Sequence, residues 1–89
     1  REFYWMVTNY IWEYVPVNTG FYIKLIADDL PDLYLSITGR SKIKVNSNPH
    51  VWCTDGKKIK SQRTGKYIAY KDGEFILSLD GIDISHQIK

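Results

Sequence analysis

The side chains best suited to catalysis or metal binding are two histidines and a single cysteine. His50 and Cys53 are three positions apart, which on an extended chain places their side chains on opposite faces, where a thiolate and its base cannot meet. Neither His50 nor His86 has a second cysteine or a carboxylate at ligand spacing, so a zinc site would need residues that only the fold brings together. The chain also lacks a Gly-rich phosphate loop and the Gly-x-Ser-x-Gly and His-Glu-x-x-His motifs. We therefore predict a non-enzymatic protein without a cofactor or a metal site.

Three aspartates around one proline form a compact set of hydrogen-bond acceptors. Asp28, Asp29 and Asp32 surround Leu30-Pro31, and this Asp and Pro chemistry favours a turn or a loop. Their carboxylates could accept hydrogen bonds from sugar hydroxyls or bind a cation. The spacing is not that of a calcium loop, and Asp-rich turns are common, so an ordinary turn is the favoured interpretation.

Basic side chains interleaved with tyrosines could contact phosphates and stack bases, as on β-sheet surfaces that bind single-stranded nucleic acid. These residues are Arg40, Lys42, Lys44, Lys57, Lys58, Lys60, Arg63 and Lys66, with Tyr67 and Tyr70 among them. Charged residues of both signs are interspersed along the chain, and the formal net charge is only +2. A solvated lysine face is therefore favoured over a nucleic-acid site, although nucleic acid stays a possible partner.

The stretch from Phe3 to Val17 is almost entirely aromatic or β-branched. A strand that is apolar on both faces is either fully buried or forms an edge that needs a partner. We predict an interaction surface there for a protein partner or a second copy of the chain, formed by Phe3, Tyr4, Trp5 and Tyr10. Trp12, like Trp52 later in the chain, follows a β-branched residue and is expected to plug the core rather than stack on a ligand.

The size and composition of the chain indicate one domain spanning residues 1–89. With 89 residues, of which 44% are hydrophobic, the chain is too short for two independent cores. A single cysteine excludes an intrachain disulfide. No apolar run approaches the roughly 20 residues that span a bilayer, and no signal peptide is recognisable. The sequence starts at Arg1 rather than Met, so we expect a processed product or part of a longer chain, and localisation stays open.

Residue spacing predicts about eight strands and little or no helix. The nine segments considered for these strands are 3–17 (one long bent strand or two short ones), 21–26, 33–37, 42–45, 51–53, 57–61, 66–70, 74–79 and 82–85. Turns are expected wherever glycine can supply a positive φ, as at Asp55-Gly56, Asp72-Gly73 and Asp80-Gly81. The predicted fold class is therefore all-β, as a small β-barrel.

Internal sequence similarity divides the chain into two possible repeat units, about 9–48 and 49–89. Ile11-Trp12 and Val51-Trp52 are 40 residues apart, and each pair precedes a Thr-Gly step, at Thr19-Gly20 and at Thr64-Gly65. Periods of this length mark repeated β units that cannot bury their apolar faces alone.

Over residues 20–79, about two thirds of the chain, the order of short motifs resembles the ricin-B-type β-trefoil family. The motifs are Tyr22-Ile23, Asp28-Asp29, Leu33-Tyr34-Leu35, Val45, His50-Val51-Trp52, Asp55-Gly56-Lys57-Lys58-Ile59 and Thr64-Gly65-Lys66-Tyr67-Ile68. Two departures are that His50 stands where the family has Gln, and that 89 residues hold about two units where a closed trefoil needs three of roughly 40 residues. Either the chain is a fragment or cleavage product, a partner completes the trefoil, or the fold is a smaller SH3-like or OB-like barrel.

The resemblance implies a lectin-like module that binds a carbohydrate or glycoconjugate in a shallow site. An aromatic ring would cover the sugar face, while Asp and Asn side chains would take the hydroxyls. The candidate residues are Asp28, Asp29, Tyr34, Asn48, His50 and Trp52. The alternative is a protein-interaction or assembly domain, or one that contacts RNA through its Lys- and Tyr-rich hairpins.

Overall fold

The computed structural model describes residues 1–39, 42–84 and 88, and that part of the chain forms nine antiparallel β-strands without an α-helix. The strands are β1 (Glu2–Trp5), β2 (Tyr10–Val17), β3 (Gly20–Leu25), β4 (Leu33–Thr38), β5 (Lys42–Asn46), β6 (Trp52–Asp55), β7 (Lys58–Ser61), β8 (Tyr67–Lys71) and β9 (Glu74–Ser78). The all-β prediction is confirmed. The stretch predicted over 3–17 is two strands, because the chain reverses between them through a turn that contains Asn9 at φ 58°.

Seven of the strands close into a barrel in the order β3-β4-β5-β9-β8-β7-β6. Two narrow contacts complete the ring: Lys42 of β5 pairs with Ile76 of β9, and Phe21 of β3 pairs with Trp52 of β6. The hairpin of β1 and β2 lies outside the ring and continues the sheet from the free edge of β3. The expected small β-barrel is confirmed, whereas the trefoil, the SH3-like and OB-like alternatives and the two repeat units stay predictions.

The predicted strand over 82–85 is wrong for its described part, residues 82–84, while Ser85 lies outside the described residues. The backbone N–H groups of Ile82 and Ile84 donate to two separate segments, the carbonyls of Ile68 and Lys57. The segment therefore crosses neighbouring strands and does not run along one of them. It brings Ile84 into the core, where its side chain is buried.

The core is unusually rich in aromatic rings because the β1–β2 hairpin packs its inner face against the barrel. Trp5 and Trp52 are completely buried, and the ring of Trp5 lies 4.9 Å from that of Phe75 on β9. Trp12 is buried as well, so both tryptophans expected to plug the core do so. The main buried apolar residues are Phe3, Trp5, Trp12, Ile23, Leu35, Trp52, Ile59, Ile68, Leu77 and Ile84.

Candidate functional site

A row of four side chains crosses the outside of the sheet from β2 to β5. Glu13 lies opposite Lys24, Lys24 lies opposite Tyr34, and Tyr34 lies opposite Asn46. Directly paired residues project to the same side of a sheet, and Ile23 and Leu35, which alternate with the row, point into the core. All four row residues are half-buried. The row therefore forms a continuous, partly sheltered strip of polar groups around one tyrosine.

Aromatic and ionic contacts fix the side chains in the middle of this row. The rings of Tyr22 and Tyr34 meet edge to face, with their centres 5.7 Å apart. The Lys24 ammonium lies 3.3 Å from a carboxylate oxygen of Asp32, whose side chain is well exposed. The Asn48 N–H donates to Asn46 Oδ1 at 2.9 Å, which orients the amide so that its NH₂ remains as a donor. Glu13, Tyr22, Lys24, Tyr34 and Asn46 are called the polar face below.

Beside the polar face, the loop between β3 and β4 encloses a hollow of about 290 Å³. It is lined by Lys24, Leu25, Ile26, Ala27, Asp28, Leu30, Pro31 and Asp32. The Lys24 ammonium of β3 and the Asp28 and Asp32 carboxylates of the loop thus border a concave space. We call this space the polar hollow.

The structure brings together three of the six residues predicted to bind a sugar. Tyr34 is part of the polar face, Asp28 lines the polar hollow beside it, and Asn48 is joined to it through Asn46. Asp29 is exposed in the same loop but lines neither the polar hollow nor the polar face.

Trp52 and His50 do not belong to this group. Trp52 is wholly buried and its indole N–H donates to the Leu35 carbonyl at 3.0 Å, so its ring cannot stack on a sugar. His50 lies edge-on against Trp52, and its Nε2 is 2.7 Å from Ser61 Oγ. Burial lowers the pKa of His50, and the nearby positive charge of Arg63 lowers it further. The second histidine, His86, lies outside the described residues.

Sequence reasoning missed Glu13, Tyr22, Lys24 and Asn46 as members of the site. Period-2 alternation along β3 could have shown that Tyr22 and Lys24 share a face. Their meeting with Tyr34 and Asn46 depends on the strand register, which no short motif specifies.

The predicted interaction surface is corrected at two of its four positions. Phe3 and Trp5 are core residues with 6% and 0% exposure, because β1 turns this face toward the barrel. Tyr4 is half-buried, and its hydroxyl donates to Asn9 Oδ1 at 2.9 Å. Tyr10 is 59% exposed. Of these four residues, only Tyr10 presents a large accessible apolar side chain.

An apolar cleft of about 380 Å³ opens beside Tyr10. It is lined by Val7, Thr8, Tyr10, Trp12, Leu25, Ala27, Leu30, Leu35, Val45, Tyr70, Gly73 and Phe75. The deeper part is formed by the buried Trp12 and Leu35, while Tyr10, Leu30, Val45 and Tyr70 are exposed at its rim. We call this space the apolar cleft.

Among the tyrosines predicted to accompany the basic residues, Tyr67 is engaged by two neighbouring side chains. The hydroxyl of Tyr67 donates to Asp55, and the Lys58 ammonium lies over its ring at 5.7 Å from the centre. The hydrogen bond to Asp55 is the main cause of a raised pKa for Tyr67. Lys42 and Lys44 are exposed on β5 and share a shallow hollow with Glu74. Arg40 lies outside the described residues.

Among residues 1–39, 42–84 and 88, no three His, Cys, Asp or Glu side chains group as they would around a metal ion. That same part of the chain contains no helix of the length and apolarity needed to cross a membrane. Comparisons with protein-family models, with curated proteins and with solved structures give no match to this chain. The resemblance to ricin-B-type lectins therefore stays a prediction from the residues alone.

Proposed function

We propose that the protein is a non-enzymatic binding module that holds a carbohydrate or glycoconjugate on the polar face. The observation that carries this proposal is the cross-strand row of Glu13, Lys24, Tyr34 and Asn46. It combines a partly exposed aromatic ring with hydrogen-bond donors and acceptors on one strip of sheet.

The chemistry of a sugar matches this combination. A pyranose has a face of C–H groups that packs on an aromatic ring, and a rim of hydroxyls that each donate and accept hydrogen bonds. Tyr34 offers the ring, Lys24 offers N–H donors, and Glu13 offers carboxylate acceptors. Asn46 offers a donor whose direction is set by its contact with Asn48. The polar hollow next to Lys24 provides room for hydroxyls that extend beyond the row.

The ricin-B-type resemblance supports the same class of ligand and offers two aromatic candidates for the platform, Tyr34 and Trp52. Of these, Trp52 is wholly buried. Our proposal therefore uses Tyr34 as the platform and retains Asp28 and Asn48 as neighbouring polar groups.

A glycan array followed by titration calorimetry on the best hit tests the proposal. Tyr34→Ala should weaken binding about ten-fold, equivalent to about 1.4 kcal/mol, because the stacking ring is lost. Tyr34→Phe keeps the ring and should retain most of the affinity. Lys24→Met should weaken binding, whereas Lys71→Met, at the exposed end of β8, serves as the matched control and should not.

Added salt separates this function from the nucleic-acid alternative, for which Lys42, Lys44, Lys57 and Arg63 are exposed candidates. Sugar binding should hardly change with ionic strength, while binding to RNA should weaken steeply because counterions are released from phosphates. An array without hits, together with salt-sensitive RNA binding that Lys42→Met and Lys44→Met reduce, would contradict the carbohydrate proposal.

A further inference from the structure

The polar hollow and the apolar cleft have a common wall. Leu25, Ala27 and Leu30 line both spaces. On one side of this wall lie Lys24, Asp28 and Asp32, and on the other side lie apolar and aromatic groups from five strands and the turns between them. A ligand resting on the rim at Leu30 would thus meet a polar environment at one end and an apolar environment at the other.

The described lining of the apolar cleft contains no Asp, Glu, Lys, Arg or His side chain. Its one short hydroxyl, that of Thr8, donates to the Trp5 carbonyl at 2.8 Å and accepts from Trp12 Nε1 at 2.9 Å. The same oxygen also accepts from the Tyr10 N–H at 3.1 Å, so it has no capacity left for a ligand. A charged or strongly polar group entering the cleft would lose its hydration without compensation. The cleft therefore selects an uncharged, apolar group.

The size and exposure of the apolar cleft are those of a small-molecule site. About 380 Å³ is within the range of about 300 to 1,000 Å³ that is typical of ligand pockets. Four large hydrophobic side chains remain exposed around it, at 59% for Tyr10, 52% for Leu30, 42% for Val45 and 38% for Tyr70. Grouping of exposed apolar side chains around one concavity marks a binding site more often than chance exposure does.

We infer that the ligand is an amphiphilic glycoconjugate, with its sugar reaching from the polar face into the polar hollow and its apolar aglycone passing over the rim at Leu30 into the apolar cleft. This inference rests on the proposed function and narrows it from sugars in general to sugars that carry an alkyl, acyl or aromatic group. The shared wall of Leu25, Ala27 and Leu30 sets the point where the polar and apolar parts of the ligand join.

Titration calorimetry with methyl, butyl and octyl β-glycosides of glucose and of galactose, all below their micellar concentrations, tests the inference. Each methylene buried in the cleft should increase the affinity roughly three- to four-fold until the cleft is full. The octyl glycoside should therefore bind at least about ten-fold more tightly than the methyl glycoside. 1-Octanol, which lacks the sugar, should bind more weakly than the octyl glycoside.

Variants separate the two halves of the site. Val45→Asp and Tyr10→Ser alter only the apolar cleft, so they should abolish the advantage of octyl over methyl and leave methyl glycoside binding unchanged. Tyr34→Ala should weaken both glycosides by the same factor and preserve their ratio. Leu79→Asp is the matched control, because Leu79 is 84% exposed and lines neither space, and it should change nothing.

Equal affinities for methyl and octyl glycosides would overturn the inference and leave the proposed function intact. A chain-length effect that persists in both Val45→Asp and Tyr10→Ser would also overturn it. If 1-octanol binds as tightly as the octyl glycoside and Tyr34→Ala has no effect, both the proposed function and the inference are contradicted. Failure of all the glycosides to bind would contradict both as well. A dimer in sedimentation that Val45→Asp dissociates would assign the cleft to a second copy of the chain and overturn the inference.

Discussion

The indole N–H of Trp52 on β6 donates to the backbone carbonyl of Leu35 on β4 at 3.0 Å. The two strands are not neighbours in the sheet, so this bond crosses the inside of the barrel. Both residues are almost completely excluded from solvent. A buried hydrogen bond of this kind is directional, so it fixes the orientation of the Trp52 ring in a core whose other contacts are apolar and non-directional.

Trp52→Phe should lower the free energy of unfolding by about 2 to 4 kcal/mol, through a cavity and an unpaired buried carbonyl. Trp12→Phe is the matched control, because Trp12 is equally buried but donates to Thr8 Oγ1, which lies at the edge of the apolar cleft. It should cost roughly 1 to 2 kcal/mol less, because water can replace the lost donor there. Urea unfolding followed by circular dichroism measures both variants, and equal costs would contradict the importance of the Trp52 bond.

Gly20→Ala should destabilise the barrel at its closure between β3 and β6. A Cβ on Gly20 would overlap the backbone carbonyl oxygen of Trp52 and touch Val51. Because backbone cannot move aside as a flexible side chain can, we expect a loss of about 3 kcal/mol. A Cβ on Gly65 would have no atom within 4 Å, so Gly65→Ala introduces only the strain of an alanine at a φ of +73°. It should lower the free energy of unfolding by about 1 kcal/mol. The melting temperatures of both variants test this difference. A larger loss of stability in Gly65→Ala than in Gly20→Ala would contradict the prediction.

The sequence predicts the strands well because local chemistry determines them. Asp72-Gly73, for example, has positive φ at both residues, as a tight hairpin turn between β8 and β9 requires. Asp80-Gly81 looks the same in sequence but does not form such a turn. Gly81 is needed there for a different reason, since a Cβ would lie 2.5 Å from the Cβ of Tyr67. The predicted strand after it does not form, because the N–H groups of Ile82 and Ile84 donate to two different segments.

The site and the closure of the barrel depend on relationships that short sequence patterns do not contain. Tyr34 could be proposed as a sugar platform from its motif, yet its partners Lys24 and Asn46 come from other strands and meet it only through register. Likewise, within the described residues β5 and β9 join through one pair, Lys42 and Ile76, which are 34 residues apart. Pairings of this kind are decided by the packing of the whole barrel rather than by local preference.

Asp55→Asn should lower the pKa of the Tyr67 phenol toward its ordinary value. In the native protein the hydrogen bond to the Asp55 carboxylate favours the protonated phenol, and the negative charge of Asp55 also opposes ionisation. Alkaline titration of phenolate absorbance measures the change, and subtraction of the Tyr67→Phe titration isolates this one tyrosine among seven. An unchanged Tyr67 titration in Asp55→Asn would show that the contact has no electrostatic effect.

The stability of the protein should fall as pH decreases through the range in which His50 is protonated in the unfolded chain. Ser61 Oγ accepts the Thr64 N–H, so its hydroxyl proton is available to donate to Nε2 of a neutral His50. Burial, followed by the charge of Arg63, lowers the pKa of His50 in the folded state. As the pH falls below about 6.5, the unfolded chain therefore binds this proton before the folded protein does, and the free energy of unfolding decreases. Below the folded-state pKa of His50 both states carry the proton, and the decrease stops. Urea midpoints measured from pH 8 to pH 5 should decline less in His50→Gln than in the native chain, and parallel declines would mean that His50 does not contribute.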